Sequence, residues 1–216
     1  MKVSILKTHL LSTLTRVEKI ISSKAQLPIL QNFLLEAKGN SFTVTGTNTE
    51  TSIISRCRAK IEREGGMCVP AKLLVEFISS LPEGVVEMSA KEGTLIIVSS
   101  GFEASIPYAS KEEFPPLPKH DKIKGAEILK KTFLRALESV LFAAATDEGR
   151  PILTGAKIQK VNKETLFVAT DGYRLSLKRV DLETEENLNI TIPARTLTEV
   201  VHIGLEDEEN KNITLK

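Results

Sequence analysis

Side chains able to do acid–base chemistry or to bind a metal are few in this sequence, and no catalytic motif surrounds them. Four such side chains fall in the second half of the chain and are the candidates for a catalytic or metal-binding set: Asp147, Glu148, Asp171 and Lys178. No nucleophile elbow, P-loop or dinucleotide-binding glycine motif accompanies them. An enzyme is therefore the less favoured interpretation, and no cofactor is expected.

The thiol and imidazole side chains do not form a metal-binding pattern. Cys57 and Cys68 stand alone, and His9, His120 and His202 lie far apart in the sequence. No H-x-x-x-H or C-x-x-C spacing occurs among them, so no metal site is predicted. Two unclustered cysteines are typical of a reducing compartment. The amino-terminal residues also lack the basic segment and apolar core of a secretory signal, so the sequence predicts a cytoplasmic location.

The chain has almost no excess of positive charge, but basic residues are concentrated on two predicted helical faces. The chain has 29 basic and 28 acidic residues, a net charge of +1, which is not the strongly basic balance of many nucleic-acid-binding domains. Apolar residues at helical spacing predict two amphipathic helices, and the faces opposite their apolar stripes are polar and basic. These outward faces contain His9, Ser12, Arg16 and Lys19 in the first helix, and Lys131, Thr132, Arg135 and Ser139 in the second. Each face is either a simple solvated surface or a surface that binds phosphates by charge without reading bases.

The sequence contains an internal repeat with a constant offset of 123 residues. The triplet PIL at residues 28–30 recurs at 151–153, and VPAK at 69–72 recurs as IPAR at 192–195. Many matches in one register indicate duplication of a whole domain, because the period is far longer than that of a solenoid repeat. At this offset Lys216 matches residue 93. The second copy is therefore expected to lack its last two strands, and the natural protein is expected to continue.

Each copy has the pattern of an α+β domain: a helix, strands, a second helix and more strands. Alternating and β-branched runs predict the following strands: 32–37, 41–46, 51–60, 85–90, 94–99 and 102–107 in the first copy, and 155–161 and 165–169 in the second. Pro70 and Pro193 are expected in the first turn of the second helix of each copy. The proline-rich run at residues 113–118 separates the copies, so the domain boundary is predicted near residue 120.

Several motifs resemble those of the bacterial DNA sliding clamp family, the beta subunit of DNA polymerase III. In the first copy they are LPIL at 27–30, TGTNTE at 45–50, VPAK at 69–72, LPEG at 81–84 and FP at 114–115. In the second copy they are RPILTG at 150–155 and ATDGYRL at 169–175, the most specific of the set. The resemblance covers the whole chain in the order that the family has.

The resemblance implies a non-catalytic processivity factor that encircles duplex DNA. Family members are head-to-tail homodimers with three domains per subunit, and their helices line the hole of a ring whose outer wall is made of sheets. The chain would then contain clamp domain one at 1–120 and an incomplete clamp domain two at 121–216, with the third domain absent. The α+β clamp fold, with two helices per domain packed on antiparallel sheets, is the expected architecture.

The resemblance also implies two binding surfaces. Short peptides of the replicative polymerase catalytic subunit, the clamp loader and repair proteins would bind a pocket formed by Leu153, Thr170, Gly172, Tyr173, Arg174 and Leu175. Duplex DNA would be contacted without sequence preference by Lys24 and Arg150, together with Arg16, Lys19, Lys131 and Arg135 on the helical faces. Asp147 and Glu148 flank Arg150 and weaken its predicted contact. Asn48 stands where the family usually has Asp.

A truncated clamp-like module that binds proteins and never encloses DNA is the second interpretation. The length of the parent gene distinguishes the two interpretations. A third repeat downstream of Lys216 favours the ring, and a stop codon there favours the module. Without the family resemblance, residues 170–172 (TDG) would simply indicate a hairpin turn.

Overall fold

The computed structural model describes residues 1–22, 25, 27–117, 126–147, 149–182, 188–206 and 210–215. The chain divides into two compact units, Met1–Pro118 and Lys119–Lys216. Among the described residues, no helix is both long enough and apolar enough to cross a membrane.

The first unit has two helices, which alternate with strands along the chain. Its elements are β1 (Lys2–Leu6), α1 (Lys7–Glu18), β2 (Asn32–Lys38), β3 (Ser41–Thr47), β4 (Ser52–Arg58), β5 (Lys60–Arg63), β6 (Gly65–Pro70), α2 (Ala71–Ser80), β7 (Val85–Lys91), β8 (Thr94–Ser99) and β9 (Phe102–Pro107). A short 3-10 turn, Pro28–Gln31, precedes β2. Pro70 is the last residue of β6 and the N-cap of α2, so it lies before the first turn of the helix rather than within it, and Pro193 has the equivalent place in the second unit.

The strands of the first unit form two antiparallel sheets that share one core with the helices. One sheet has the order β5-β1-β7-β8-β9, and the other has the order β4-β3-β2-β6. Helix α1 packs against α2 and against β3 and β4. Leu10, Leu14 and Val17 of α1 are fully buried with Phe33 and Phe42 of the second sheet. The predicted apolar stripe of the first helix is therefore its core-facing side.

The second unit repeats this arrangement. Its elements are β10 (Ala126–Leu129), α3 (Lys130–Leu141), β11 (Gly155–Val161), β12 (Glu164–Thr170), β13 (Leu175–Asp181), β14 (Asn189–Pro193), α4 (Ala194–Glu206) and β15 (Asn212–Leu215). A 3-10 turn, Pro151–Thr154, precedes β11. One sheet has the order β13-β12-β11-β14, and β10 pairs with β15. The α3 residue Phe133 meets Phe167 of β12 edge to face, with the ring centroids 5.7 Å apart.

The two units agree element by element at the predicted offset. Helix α3 and strands β11, β12 and β13 each begin and end 123 residues after α1, β2, β3 and β4. The 3-10 turns keep the same offset. The expectation of a repeated α+β domain, with two helices packed on antiparallel sheets, is confirmed.

The repeat loses its register before the last strand, so the match of Lys216 to residue 93 is wrong. Leu6 pairs with Val85 in the first unit, and Leu129, which lies 123 residues later, pairs with Asn212 in the second. Val85 and Asn212 are 127 residues apart, because the segment that includes α4 is four residues longer than its counterpart. Leu215 therefore corresponds to Met88 rather than to residue 92.

Candidate functional site

The loop between β12 and β13, residues 170–174, is ordered by its own side chains. The Thr170 hydroxyl donates to the carbonyl oxygen of Arg174 over 2.7 Å and accepts the N–H of Gly172 over 3.0 Å. Asp171 Oδ1 accepts the backbone N–H groups of Tyr173 and Arg174, both at 2.9 Å. Four hydrogen bonds thus fix a turn in which residues 172–174 are exposed.

The carboxylate of Asp171 has a structural role in this loop. The backbone N–H groups of Arg174 and Tyr173 and the nearby Arg174 cation lower the pKa of Asp171, because they stabilise the ionised form. Asp147 Oδ1 is likewise used locally, since it accepts the N–H of Gly149 over 3.0 Å. Among the described residues no group of three or more His, Cys, Asp or Glu side chains is arranged to hold a metal. Asp171 and Asp147 are thus both engaged in hydrogen bonds within their own loops.

Gly172 has the left-handed backbone conformation, with φ of +91°, at the tip of the loop. A Cβ atom at this position would lie 2.9 Å from Nη1 of Arg150. The side chain of Arg150, which the sequence predicts as a phosphate contact, therefore lies against the predicted peptide loop. Both contribute to a cavity of about 360 Å³, lined by Ala144, Ala145, Thr146, Asp147, Arg150, Asp171, Tyr173 and Arg174.

Apolar side chains beside the loop are unusually exposed. Tyr173 is 93% exposed, and Leu175, the first residue of β13, is 65% exposed. Leu177 is on the same face of β13 and is 45% exposed. Leu153 is half-buried in the 3-10 turn that leads into β11, the strand next to β12. The structure thus brings five of the six predicted pocket residues into one loop and strand start, and it holds Leu153 in the turn that follows Arg150.

Two hydrogen bonds connect this region to the end of helix α3. Arg174 Nη2 donates to the carbonyl oxygen of Phe142 over 2.8 Å, and the Ser176 hydroxyl donates to the carbonyl oxygen of Ser139 over 2.7 Å. The Arg174 guanidinium carbon also lies 5.7 Å from the centroid of the Phe142 ring, which is 62% exposed. Sequence reasoning missed Phe142, although its position on the outward side of the helical stripe is a signal that could have identified it.

The first unit contains the same loop with different side chains. Thr47 and Asn48 make the hydrogen bonds that Thr170 and Asp171 make in the second unit, at 3.1, 3.1, 3.0 and 2.7 Å. Thr49 takes the place of Gly172 and has φ of 77°. The exposed apolar and cationic positions are replaced by polar ones: Glu50 for Tyr173, Thr51 for Arg174 and Ser52 for Leu175. The two units therefore share the backbone conformation of this loop but differ in the side chains around it.

The predicted phosphate-binding residues lie in different environments. Lys131 and Arg135 are exposed on α3 and line a groove of about 630 Å³ beside α4, together with Lys130 and Lys211. The sequence analysis did not identify Lys211, which stands outside the helical pattern. Four cations and the carboxylate of Glu138 line this groove, and the acidic run at residues 206–209 lies between Leu205 and Asn210, two of its lining residues, in the sequence.

The outward face of α1 is less exposed to solvent than the helical periodicity of the sequence predicts. Arg16 and Lys19 are half-buried, and each has an interaction partner within the chain. His9 and Ser12 on the same face are exposed. The prediction for Lys24 lies outside the described residues, as does Glu148.

Repeated α+β units of this architecture are found in the sliding clamps. A crystal structure of the DNA polymerase sliding clamp from Bacillus subtilis aligns with 99% of this chain at a TM-score of 0.94 and 28% identity. The model of the DNA polymerase III beta subunit N-terminal domain matches residues 1–118, and the model of its central domain matches residues 127–216. The chain belongs to the DNA polymerase III beta subunit family.

The relatives are longer than this chain. The beta sliding clamp of Bacillus subtilis strain 168 is 29% identical over 214 residues, which cover 94% of this chain and 57% of the relative. The structure named Caulobacter crescentus pol III beta is 26% identical with a TM-score of 0.91, over 99% of this chain and 59% of that chain. The chain thus spans a little more than half the length of these relatives.

Proposed function

We propose that this chain is the first part of a sliding clamp that encircles duplex DNA as a ring homodimer and holds the replicative polymerase on it. The observation that carries the proposal is the contrast between the two equivalent loops. They share a backbone, but the loop of the second unit presents exposed apolar and cationic side chains where the first unit has Glu50, Thr51 and Ser52. A surface specialised in this way within a repeat is expected of a binding site.

The peptide site is proposed to receive an apolar side chain of a partner over Leu153 and Leu175. Burial of Leu175, which is 65% exposed, would remove apolar area from water on binding. Arg150, Tyr173 and Arg174 supply a polar rim that can orient the partner's backbone. The proposed partners are peptides of the polymerase catalytic subunit, the clamp loader and repair proteins.

The DNA surface is proposed to be the basic groove beside α3. Lys130, Lys131, Arg135 and Lys211 place several cations along it, and cations of this kind bind phosphates without distinguishing bases. The proposed contacts of Arg16, Lys19 and Lys24 in the first unit would add to them. Arg150 is adjacent to the peptide loop, so its proposed contribution to DNA binding is secondary to its place in the peptide site.

Head-to-tail dimerisation is proposed to use an open edge of the first unit. Strand β9 is the outermost strand of the five-stranded sheet, so its outer edge can pair with a strand of another subunit. Phe102 on β9 is 54% exposed, and Leu73 on the neighbouring helix α2 is 53% exposed. An exposed edge with apolar side chains beside it fits an interface with a second copy.

Retention on circular DNA tests the proposal. The full-length gene product, loaded by its clamp loader onto nicked circular DNA, should remain bound in high salt and should be released when the circle is cut. Release from the intact circle at the same rate would refute encirclement and would favour the protein-binding module. The 216-residue chain should bind duplex DNA weakly and with strong salt dependence, because it relies on phosphate contacts alone.

Peptide calorimetry on the short and long chains tests the placement of the pocket. The proposal expects a further wall of the pocket beyond Lys216, so the 216-residue chain should bind a clamp-binding peptide far more weakly than the full-length protein. Equal affinities would mean that the pocket has been assigned to the wrong place.

A further inference from the structure

The conformation of Arg174 is fixed from two sides. Its Nε donates to Asp171 Oδ2 over 3.0 Å, within its own loop. Its Nη2 donates to the carbonyl oxygen of Phe142, and its guanidinium carbon is 5.7 Å from the centroid of the Phe142 ring. Asp171 and Phe142 therefore hold one cation between a hairpin loop and the end of helix α3.

The first unit indicates that the loop does not need this contact in order to fold. The positions equivalent to Arg174 and Phe142 are Thr51 and Lys19, which cannot form a cation–π pair. The loop around Thr51 nevertheless makes the same backbone hydrogen bonds as its counterpart. The Phe142–Arg174 contact is thus additional to what the loop's backbone requires.

Phe142 is also poorly placed to stabilise the core of the second unit. Its ring is 62% exposed, and it lies outside the buried cluster formed by α3 and the sheet. An exposed aromatic ring contributes little to a core, but it can fix a guanidinium by cation–π attraction and can exclude water from one face of it. The second unit thus has an exposed aromatic ring beside a cation at the site where the first unit has Lys19 and Thr51 and no aromatic ring.

Arg174 lines the cavity of about 360 Å³ together with Arg150 and Tyr173. Among the described residues, Nη1 of Arg174 has no hydrogen-bond partner, whereas Nε and Nη2 are used by Asp171 and Phe142. A guanidinium held in this way can donate to a carbonyl or carboxylate oxygen of a ligand without first losing rotational freedom.

We propose that Phe142 is a positioning residue of the peptide site. It acts through Arg174, whose guanidinium it holds at the mouth of the cavity so that Nη1 meets an oxygen atom of the bound peptide. The inference rests on the proposed peptide-binding function and deepens it. It assigns to the end of helix α3 a role in partner binding.

A double-mutant cycle tests this inference. Phe142→Leu, Arg174→Ala and the double variant are made in the full-length protein, and calorimetry measures the affinity for a synthetic peptide that carries the clamp-binding segment of the replicative polymerase. Phe142→Leu should weaken binding by about 3- to 10-fold, the range of a partly exposed cation–π contact. In the Arg174→Ala background it should cause no further loss. Phe142→Tyr should retain the wild-type affinity.

Two controls separate positioning from a change in the fold. Val161→Ala removes another exposed apolar group at the opposite end of the same sheet and should leave the affinity unchanged. Hydrogen exchange across residues 164–181 should be the same in Phe142→Leu as in wild type, because the equivalent loop of the first unit folds without the ring. Faster exchange in Phe142→Leu would assign the ring to stability and overturn the inference.

The outcomes of the cycle are distinct. An equal loss from Phe142→Leu in both backgrounds would mean that the ring touches the peptide directly, and no loss in either would mean that it does not position Arg174. Both results overturn the inference but leave the peptide site in place. If neither Arg174→Ala nor Leu175→Asp changes the peptide affinity, the proposed site itself is refuted.

Discussion

The residues at the tips of the two equivalent loops can be exchanged, and each unit then serves as a control for the other. Gly172 has φ of +91°, and Thr49 occupies the equivalent position with φ of 77°. The perturbation is Gly172→Thr in the second unit and the reciprocal Thr49→Gly in the first. Both loops keep the same four hydrogen bonds, so the exchange changes only the residue that has the left-handed conformation.

The magnitude follows from two opposing effects. The left-handed conformation costs a residue other than glycine about 1–2 kcal/mol. Replacing glycine stiffens the unfolded chain and returns about 0.4–1 kcal/mol. Gly172→Thr should therefore lower the local free energy of unfolding by about 1 kcal/mol, and Thr49→Gly should raise it by a similar amount.

Hydrogen exchange measured by mass spectrometry is the appropriate assay, because it reports the two units separately. A change of about 1 kcal/mol corresponds to exchange about 5-fold faster across β12 and β13 in Gly172→Thr, and about 5-fold slower across β3 and β4 in Thr49→Gly. The new side chain would also meet Arg150 Nη1, which lies 2.9 Å from the Cβ position, so Gly172→Thr should weaken peptide binding in addition. Effects of the same sign in the two variants would refute the reasoning from backbone strain.

The remaining predictions concern Asp171, the basic residues of α3 and Cys68. Asp171→Asn should preserve the loop, as Asn48 does in the first unit, whereas Asp171→Ala should disorder it. Because the pKa of Asp171 is lowered from 3.8, the stabilisation that the ionised carboxylate adds, including its ion pair with Arg174, should be present above that pH and should decrease as the pH falls through the lowered value, a change that amide exchange against pH would detect. Lys131→Ala and Arg135→Ala should each reduce the salt dependence of duplex binding by about one unit of slope in an anisotropy titration, and an unchanged slope would exclude the residue from the contact. Burial raises the pKa of the Cys68 thiol to about 11, so iodoacetamide at pH 8 should modify Cys68 only in urea; rapid labelling of the folded chain would contradict its burial.

The parts of the fold that could be predicted are those with a strong local pattern. Strands β2, β3, β11 and β12 lie within one residue of their predicted bounds, and helices α1 and α3 contain the apolar stripes that predicted them, because apolar periodicity specifies these elements. Strands β1, β6, β10, β13, β14 and β15 were not predicted. The sequence of β6, GGMCVP, has no alternation, and this strand forms because β2 offers it an edge, as β11 does for β14.

The constant offset of the repeat was predicted correctly for most of its length. The prediction failed in the segment that includes α4, where an insertion leaves every recognisable motif intact. The four additional residues fall in a segment of the second unit without a recognisable signature, so only the pairing of Leu129 with Asn212 reveals them. The predicted strand at 51–60 is two strands, because the pairing is interrupted at Ala59 and β5 belongs to the other sheet. Such changes depend on tertiary pairing, which a one-dimensional pattern does not contain.

The sequence shows the proximity of the candidate site's side chains only where they are adjacent in the chain. Thr170, Gly172, Tyr173, Arg174 and Leu175 belong to one motif and lie together. The placement of Arg150 against Gly172, and the contact of Phe142 with Arg174, join residues that are distant in the sequence. These contacts depend on how α3 and its following turn pack on β12 and β13, so they became visible only in the structure.

The most direct test of the peptide site compares one substitution at equivalent positions of the two units. Leu175 and Ser52 are the first residues of β13 and β4, and calorimetry with a clamp-binding peptide would be performed on Leu175→Asp and Ser52→Asp in the full-length protein. Leu175→Asp places a charge where an apolar side chain should be buried and should cost several kcal/mol, roughly a loss of 100-fold or more in affinity. Ser52→Asp should leave the affinity unchanged. Unchanged binding in Leu175→Asp, or an equal loss in both variants, would contradict the assignment of the site to the second unit.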